Sequence, residues 1–196
     1  MITRRFFVAG TGAALLLPAM PALALNANGA SQLVNSLVGD INTVIASGKG
    51  ENAMFRDFER IFARYSDTSY IAAYAMGVDG RRASNGQKRA FSKAFQGYIS
   101  RKYGKRFREF IGGRLEVNDV RQVKNWYEVR TTAFLRGESP FNVTFHVSDR
   151  SGQPLFFNMF IEGINLLLTE RTEVGALLDR NSGDIDAMIA ALSQAG

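Results

Sequence analysis

The side chains in this chain that could do chemistry are a few carboxylates, one histidine and the arginines near them. Glu162 is the first to weigh. It stands in "FIEGINLLLTER", residues 160–171, directly after an apolar run. Burial disfavours a carboxylate's charged form and raises its pKa, so a Glu in such a place could work as a general acid or base. Arg171 lies close in sequence, and a structural Glu162–Arg171 ion pair is the competing reading. Asp67 is a second candidate base, although its position and that of Asp79 fit helix termini or turns. His146 is the only histidine and falls on the polar phase of an alternating segment, where a solvated sheet residue is expected. A Ser–His–Asp mechanism would need it, and nothing nearby has the form of a nucleophile elbow. The chain has no cysteine, which removes disulfides, thiolate catalysis and thiolate metal sites. Its Gly10-Thr11-Gly12 stretch lies in an N-terminal leader and is not a phosphate loop. Neither cofactor nor metal is expected.

The leader reads "MITRRFFVAGTGAALLLPAMPALA". Two arginines precede an apolar run too short for a membrane span, and Ala22-Leu23-Ala24 has the small residues of a cleavage site. Residues 1–24 are therefore set aside as an export signal cleaved near Ala24, with periplasmic localisation expected. Thr3-Arg4-Arg5-Phe6-Phe7 resembles a twin-arginine signal. Paired arginines also occur in general signals, so the export route stays open. Residues 25–196 are enough for one domain with its own core. With Arg4 and Arg5 set aside, the excess of Lys and Arg over Asp and Glu falls to about four, which permits an anionic partner without demanding one.

Leu33, Val34, Leu37, Val38, Ile41, Val44 and Ile45 recur at helical spacing, and "SGKG" at 47–50 ends the pattern. A second helix carries Phe55, Phe58, Ile61, Phe62 and Tyr65 on one stripe, and a third runs from about Thr68 to Met76 and stops at Gly77. Ser84 and Gln87 fit a capping box. The helix they open places Phe91, Phe95, Tyr98 and Lys102 on one side and Lys88, Arg89, Lys93 and Arg101 on the other, with Gly104 closing it. The basic and aromatic residues of 87–110 are mixed in sequence as on a nucleic-acid surface. At helical spacing they separate into an apolar face and a wet basic one, and nucleic acid is not expected as a partner.

After Gly113 the period changes to two. Strands are expected around 114–118, over 126–136, over 141–148 and over 155–161, with turns at "GESP" and "DRSGQP". Such short turns imply an antiparallel meander. Two helices follow, about 166–180 and 184–194, the second capped by Asp184. The expected fold class is α+β: a curved four-stranded antiparallel sheet covered by helices, NTF2-like. Within the last strand, alternation groups Phe157, Met159 and Ile161 against Phe156, Asn158 and Phe160, and the polar Asn158 marks its own face as the less buried. The 15 Phe and 6 Tyr either fill an ordinary core or leave an apolar pocket.

The stretch "YIAAYAMGVDGRRASNGQKRAFSKAFQGYISRKYGKRF", 70–107, resembles the middle of the MlaC family, also called the toluene-tolerance auxiliary family. Met76-Gly77, Arg82-Ala83-Ser84, Gln87, Phe91, Phe95 and Tyr103 fit its places. "FIEGINLLLTERTEV" is similar to its second signature through Ile161, Glu162, Gly163, Ile164 and Arg171. The departures are Asn165 for a Ser, Glu170 for a Tyr, Glu173 for a Gln and Val174 for a Phe. Leu155 and Phe156 occupy the region of the family's Trp, and "PLFFNMF" lacks its Tyr-Asp.

The resemblance implies a monomeric periplasmic phospholipid carrier, not an enzyme. It would work between an outer-membrane lipoprotein–porin complex and an inner-membrane MCE-domain ABC transporter complex. It implies an apolar lipid cavity lined by Tyr70, Tyr74, Met76, Phe91, Phe95, Tyr103, Val143, Phe145, Phe157, Met159, Ile161, Ile164 and Leu167. Arg82, Glu162 and Arg171 are expected to contact the headgroup or form structural ion pairs. Lifting two chains of roughly 14 methylenes out of a bilayer costs about 20 kcal/mol at ~0.8 kcal/mol per CH₂, so such a carrier must cover most of both tails. Glu162-Gly163 is then read as the corner where the last strand turns into a pocket-lining helix. Two rivals stand beside this reading. One is an NTF2-like enzyme using Glu162 or Asp67 as its base; the other is a basic module for an anionic polymer.

Overall fold

The computed structural model describes residues 25–104, 113–135 and 137–196. The expected export signal, residues 105–112 of the basic-aromatic run, and Arg136 lie outside the described residues. Among the described residues, six α-helices and five strands follow in the order α1 (Ala27–Ala46), α2 (Glu51–Tyr65), α3 (Thr68–Met76), α4 (Asn85–Gly104), β1 (Arg114–Val123), β2 (Trp126–Phe134), β3 (Phe141–Ser148), β4 (Leu155–Ile161), β5 (Ile164–Asn165), α5 (Leu166–Arg180) and α6 (Ile185–Gln194). A 3₁₀ turn, Gly77–Arg81, joins α3 to α4.

The helix ends follow local chemistry. Asn26, Asp67, Asn165 and Asp184 each accept a hydrogen bond from a backbone N–H of the first turn they open. Ser84 and Gln87 close the expected capping box from both sides: the Gln87 N–H donates to Ser84 Oγ at 3.1 Å and the Ser84 N–H to Gln87 Oε1 at 2.9 Å. Arg101, on the basic side of α4, caps another helix end. Its guanidinium donates to the carbonyls of Leu192 and Ala195 at the negative end of α6.

The sheet is antiparallel throughout, in the order β1-β2-β3-β4-β5. The sequence predicts four strands, and the fifth is a two-residue stub too short to carry a period. It exists because Glu162-Gly163 forms a two-residue hairpin, pairing Ile161 with Ile164 and Phe160 with Asn165. Glu162 has φ 48° and Gly163 φ 78°, as a type I′ turn requires at both central positions. The expected strand-to-helix corner is thus a hairpin first, and α5 starts two residues later at the Asn165 cap.

Two register shifts bend the sheet. One lies between Val117 and Asp119 of β1, the other opposite the His146–Val147 step of β3, where Phe157 is the extra residue of β4. The helices cover one face. Val129, Ala133, Val143, Phe145, Val147 and Phe156 from the sheet meet Val34, Phe58, Ile71, Phe91, Phe95 and Val174 from the helices in one buried cluster. The free margin of β4 is closed by the α2–α3 junction: the Asp67 N–H donates to the Phe156 carbonyl at 2.8 Å beside a parallel bridge from Ser66. β1 is the remaining edge, with charged Arg114, Glu116, Asp119 and Arg121 along it.

Candidate functional site

Between the sheet's covered face and the helices the packing does not close. A cavity of about 600 Å³ remains, within the range of small-molecule sites. Leu37, Val38 and Ile41 of α1, Phe58, Ile61 and Phe62 of α2, Ile71 of α3 and Ile99 of α4 form its helical wall. Val143 and Phe145 of β3 and Phe156, Met159 and Ile161 of β4 form its floor, and Ile164, Leu166 and Leu167 close it beyond the hairpin. Val143 is paired with Ile161 and Phe145 with Met159 across the strands, so these four side chains share one face.

The bulge decides which β4 residues reach the cavity. Simple alternation groups Phe157 with Met159 and Ile161. Because Phe157 is the extra residue, Phe156 moves onto the covered face opposite Val147, edge-on to Phe62 and Phe145. Phe157 still borders the cavity, but its ring is committed to Tyr70, Trp126 and His146 at centroid distances of 5.7–5.9 Å, with the Arg150 guanidinium 4.3 Å from it. Asn158 is not on a wetter face. It is buried, and its Oδ1 accepts from the N–H groups of Met159 and Leu167, tying β4 to the start of α5.

Of the residues expected at the cavity, Tyr103, Val143, Phe145, Phe157, Met159, Ile161, Ile164 and Leu167 border it. Tyr70, Tyr74, Met76, Phe91 and Phe95 do not. Phe91 and Phe95 stack on each other at 5.6 Å inside the main core, where Met76 is also buried. Tyr70 lies under Arg150, 3.5 Å from ring centroid to guanidinium carbon, and Tyr74 lies beside Arg171. Phe91 and Phe95 sit on the predicted apolar stripe of α4, but that stripe meets protein there rather than open space.

The expected Glu162–Arg171 pair is also overturned. Glu162 is exposed, and its carboxylate accepts from the Asn142 N–H while its own N–H donates back to the Asn142 carbonyl at 3.0 Å. Arg171 instead packs on the end of α3. Its guanidinium lies 5.2 Å from the Tyr74 ring centroid and would meet a Cβ built on Gly77 at 3.2 Å, where φ is +62°. Arg82 pairs with Asp79 and donates to the Gly183 carbonyl, both at 2.8 Å. Asp67 caps α3 and accepts from Ser151. Neither carboxylate named as a possible base borders the cavity.

His146 is less solvated than its strand phase suggests. Its ring lies 4.1 Å from Trp126 and 4.7 Å from Phe160, on the sheet face opposite the cavity. Burial pulls its pKa below the ordinary histidine value, against the opposing pull of Glu128, 3.8 Å away.

The cavity wall carries one polar cluster, which the sequence reading missed. Lys102, in the last turn of α4, donates to Glu170 Oε1 at 2.8 Å and to Glu173 Oε2 at 2.7 Å. The Tyr103 hydroxyl donates to Glu170 Oε1 at 2.5 Å and the Tyr98 hydroxyl to Glu173 Oε2 at 2.6 Å. Lys102, Tyr103, Glu170 and Glu173 all border the cavity. Burial works against the Glu173 charge, but the bonds from Lys102 and Tyr98 overcome it and hold that carboxyl below its ordinary value. Burial first, then the Glu173 bond, raises the Tyr98 hydroxyl well above a free phenol. The available signal was Lys102 itself, a cation placed by helical spacing on the stripe of Phe91, Phe95 and Tyr98.

An α+β domain with an apolar cavity between sheet and helices has the form of a binding protein for an apolar ligand. The chain belongs to the MlaC family, whose model matches residues 31–194. A phospholipid-binding protein from Ralstonia solanacearum, solved in complex with a phospholipid, superposes with a TM-score of 0.73 over 84% of this chain and 95% of that one, at 17% sequence identity. At that identity the likeness establishes the fold. A search of curated proteins finds no match.

Proposed function

We propose that this protein is a periplasmic phospholipid carrier. It takes lipid tails into the cavity and moves them through water between an outer-membrane lipoprotein–porin complex and an inner-membrane MCE-domain ABC transporter complex, acting as a monomer and without catalysis. The observation that carries this is the cavity of about 600 Å³ walled by aliphatic and aromatic side chains, in a chain of the MlaC family. Tails that would cost about 0.8 kcal/mol per methylene to expose are covered on one side by the sheet and on the other by α1, α2 and α5. The leader-like N-terminal sequence supports the periplasmic assignment.

The test begins with organic extraction of gently purified native protein and mass spectrometry of the extract, which should return phospholipid. Protein that yields none, and takes none up from vesicles, would overturn the carrier reading. A pair of variants then locates the tails. Met159→Asp places an unpaired charge among them and should abolish loading. Phe160→Asp, on the opposite face beside His146, should retain it, with both variants first shown folded by circular dichroism. Loading in the first and loss in the second would move the ligand to the other face.

A further inference from the structure

We propose that Ile164 and Leu168 form an apolar lip that touches the surface of a lipid bilayer, and that cargo tails enter and leave the cavity across it. This rests on the carrier reading and adds to it the surface through which tails are exchanged.

The lip lies where the cavity meets the outside. Among the described residues the exposed large apolar side chains are Val78, Ile164 at 60% and Leu168 at 51%. Apolar residues exposed singly need no explanation, but Ile164 and Leu168 stand on either side of the Asn165 cap, whose Oδ1 accepts from the Leu168 N–H at 3.1 Å. Ile164 also borders the cavity, as do Leu166, Leu167 and Thr169, whereas Leu168 does not. One side chain thus belongs to both surfaces, and apolar surface continues from the cavity wall over Ile164 toward Leu168.

Charge decides what covers the lip. A surface helix ordinarily turns charged side chains to water opposite its buried face. The outward face of α5 carries Leu168, Thr172 and Ala176, all exposed, with open space over Gly175, and meets no charge before Asp179. The charged side chains of its first two turns are engaged with the protein: Glu170 and Glu173 with Lys102, Arg171 against the Tyr74 ring. Glu162, at the hairpin tip, is turned to the Asn142 N–H. Taking a charge into hydrocarbon is costly, and none has to be stripped of water to bring Ile164 and Leu168 there. A neutral lip with no aromatic anchor and no arginine of its own lacks the groups that most often fix a protein partner in register. A bilayer asks only for apolar contact. The occupant is therefore lipid, met through hydrocarbon rather than through the chain's excess of Lys and Arg.

Leu168 is the residue to change, because it lies outside the cavity lining and an Asp in the first turn suits the positive end of a helix. Native protein, Leu168→Asp and Leu168→Phe are each mixed with phosphatidylcholine vesicles carrying a tail-labelled fluorescent phosphatidylcholine, and uptake into the protein is followed with time. Leu168→Asp should take up lipid about tenfold more slowly, the scale expected for losing the burial of a half-exposed leucine, and Leu168→Phe at the native rate. Circular dichroism first shows each variant folded; if Leu168→Asp is not, Leu168→Ser takes its place. Loaded instead by detergent exchange, both variants should retain as much phospholipid as the native protein. A variant unable to retain it would place Leu168 in the cavity and overturn the proposal, as would uptake by Leu168→Asp at the native rate. Adding phosphatidylglycerol to the vesicles, or raising salt from about 50 mM to about 500 mM, should change the native rate less than about twofold. A native rate that climbs with phosphatidylglycerol and falls with salt would assign the contact to basic residues and overturn the lip. Native protein that yields phospholipid on extraction yet draws none from vesicles would give the lip to a protein partner's apolar rim and leave the carrier reading standing. Absence of lipid from both brings down the carrier reading itself.

Discussion

At the scale of single residues, His146 shows how a side chain's neighbours outweigh its strand phase. Its position among Asn142, Thr144 and Ser148 reads as wet, but Trp126 and Phe160 close over the ring. Burial then favours the neutral imidazole and lowers its pKa from the ordinary 6.5. A folded-state pKa below the unfolded one means that the unfolded chain binds protons more readily. The associated stability is therefore full above about pH 6.5 and lost as pH falls through the folded pKa. His146→Phe, which keeps the ring packing and removes the titration, should flatten the loss of thermal stability between pH 7.5 and pH 5. Melting curves at a series of pH values will check it, and an unchanged slope would mean that acidic groups elsewhere carry the effect. Glu162 teaches the converse: it looked chemical because it followed an apolar run, yet a hairpin turn carries it out to solvent and the Asn142 backbone.

At the scale of elements, period-based reading served long segments and failed on short ones. The limits expected for α3, Thr68 to Met76, coincide with those observed, because Asp67 caps one end and Gly77 breaks the other. β5 was missed because two residues have no period, although Glu162-Gly163 between two paired runs was the hairpin signal. That turn makes a comparison of glycines informative. Gly163, at φ 78°, should resist Gly163→Ala, with a loss of about 1–2 kcal/mol from the left-handed backbone alone. Gly175 lies inside α5, and a Cβ there would meet nothing within 4 Å. Gly175→Ala should therefore gain about 0.5–1 kcal/mol from helix propensity. Urea unfolding of the two variants checks both signs; a loss at Gly175 would mean that its site is more crowded than the backbone implies.

At the scale of the whole molecule, the α+β architecture was legible and the cavity only half so. Alternation grouped Met159 with Ile161 and the family resemblance added Val143 and Phe145; all four border the cavity. Leu37, Val38 and Ile41 were seen as a helical stripe but not as cavity wall, since a stripe says which way a helix faces and not whether it meets protein or space. The bulge was hidden because Phe156 and Phe157 are both aromatic, so the slip in phase left no mark on the pattern. An unfilled cavity also has a thermodynamic cost, because its lining lacks contacts that a packed core would have. A ligand that binds the folded chain alone raises its stability by mass action, about 2.7 kcal/mol at a hundredfold excess over Kd. Delipidated protein should therefore melt several degrees below the same protein reloaded with phospholipid, with a melting temperature that rises with lipid concentration. Calorimetry on matched samples tests this, and coincident melting curves would argue against a ligand in the cavity.

The sheet's margins bear on how such a chain behaves when crowded among its own copies. An open meander has two rims of unpaired backbone, and either could recruit a second molecule into a growing ribbon. Here one rim is spent: β5 and the Asp67–Phe156 hydrogen bond take up much of β4's free side. The other rim, β1, is long, but it is kinked at Asn118 and carries Arg114, Glu116, Asp119 and Arg121, all four of which are joined to neighbours by ion pairs. A strand arriving from another copy would have to break those pairs and fit a bent edge. The chain can thus hold an apolar hollow and an open sheet without offering a template for polymerisation.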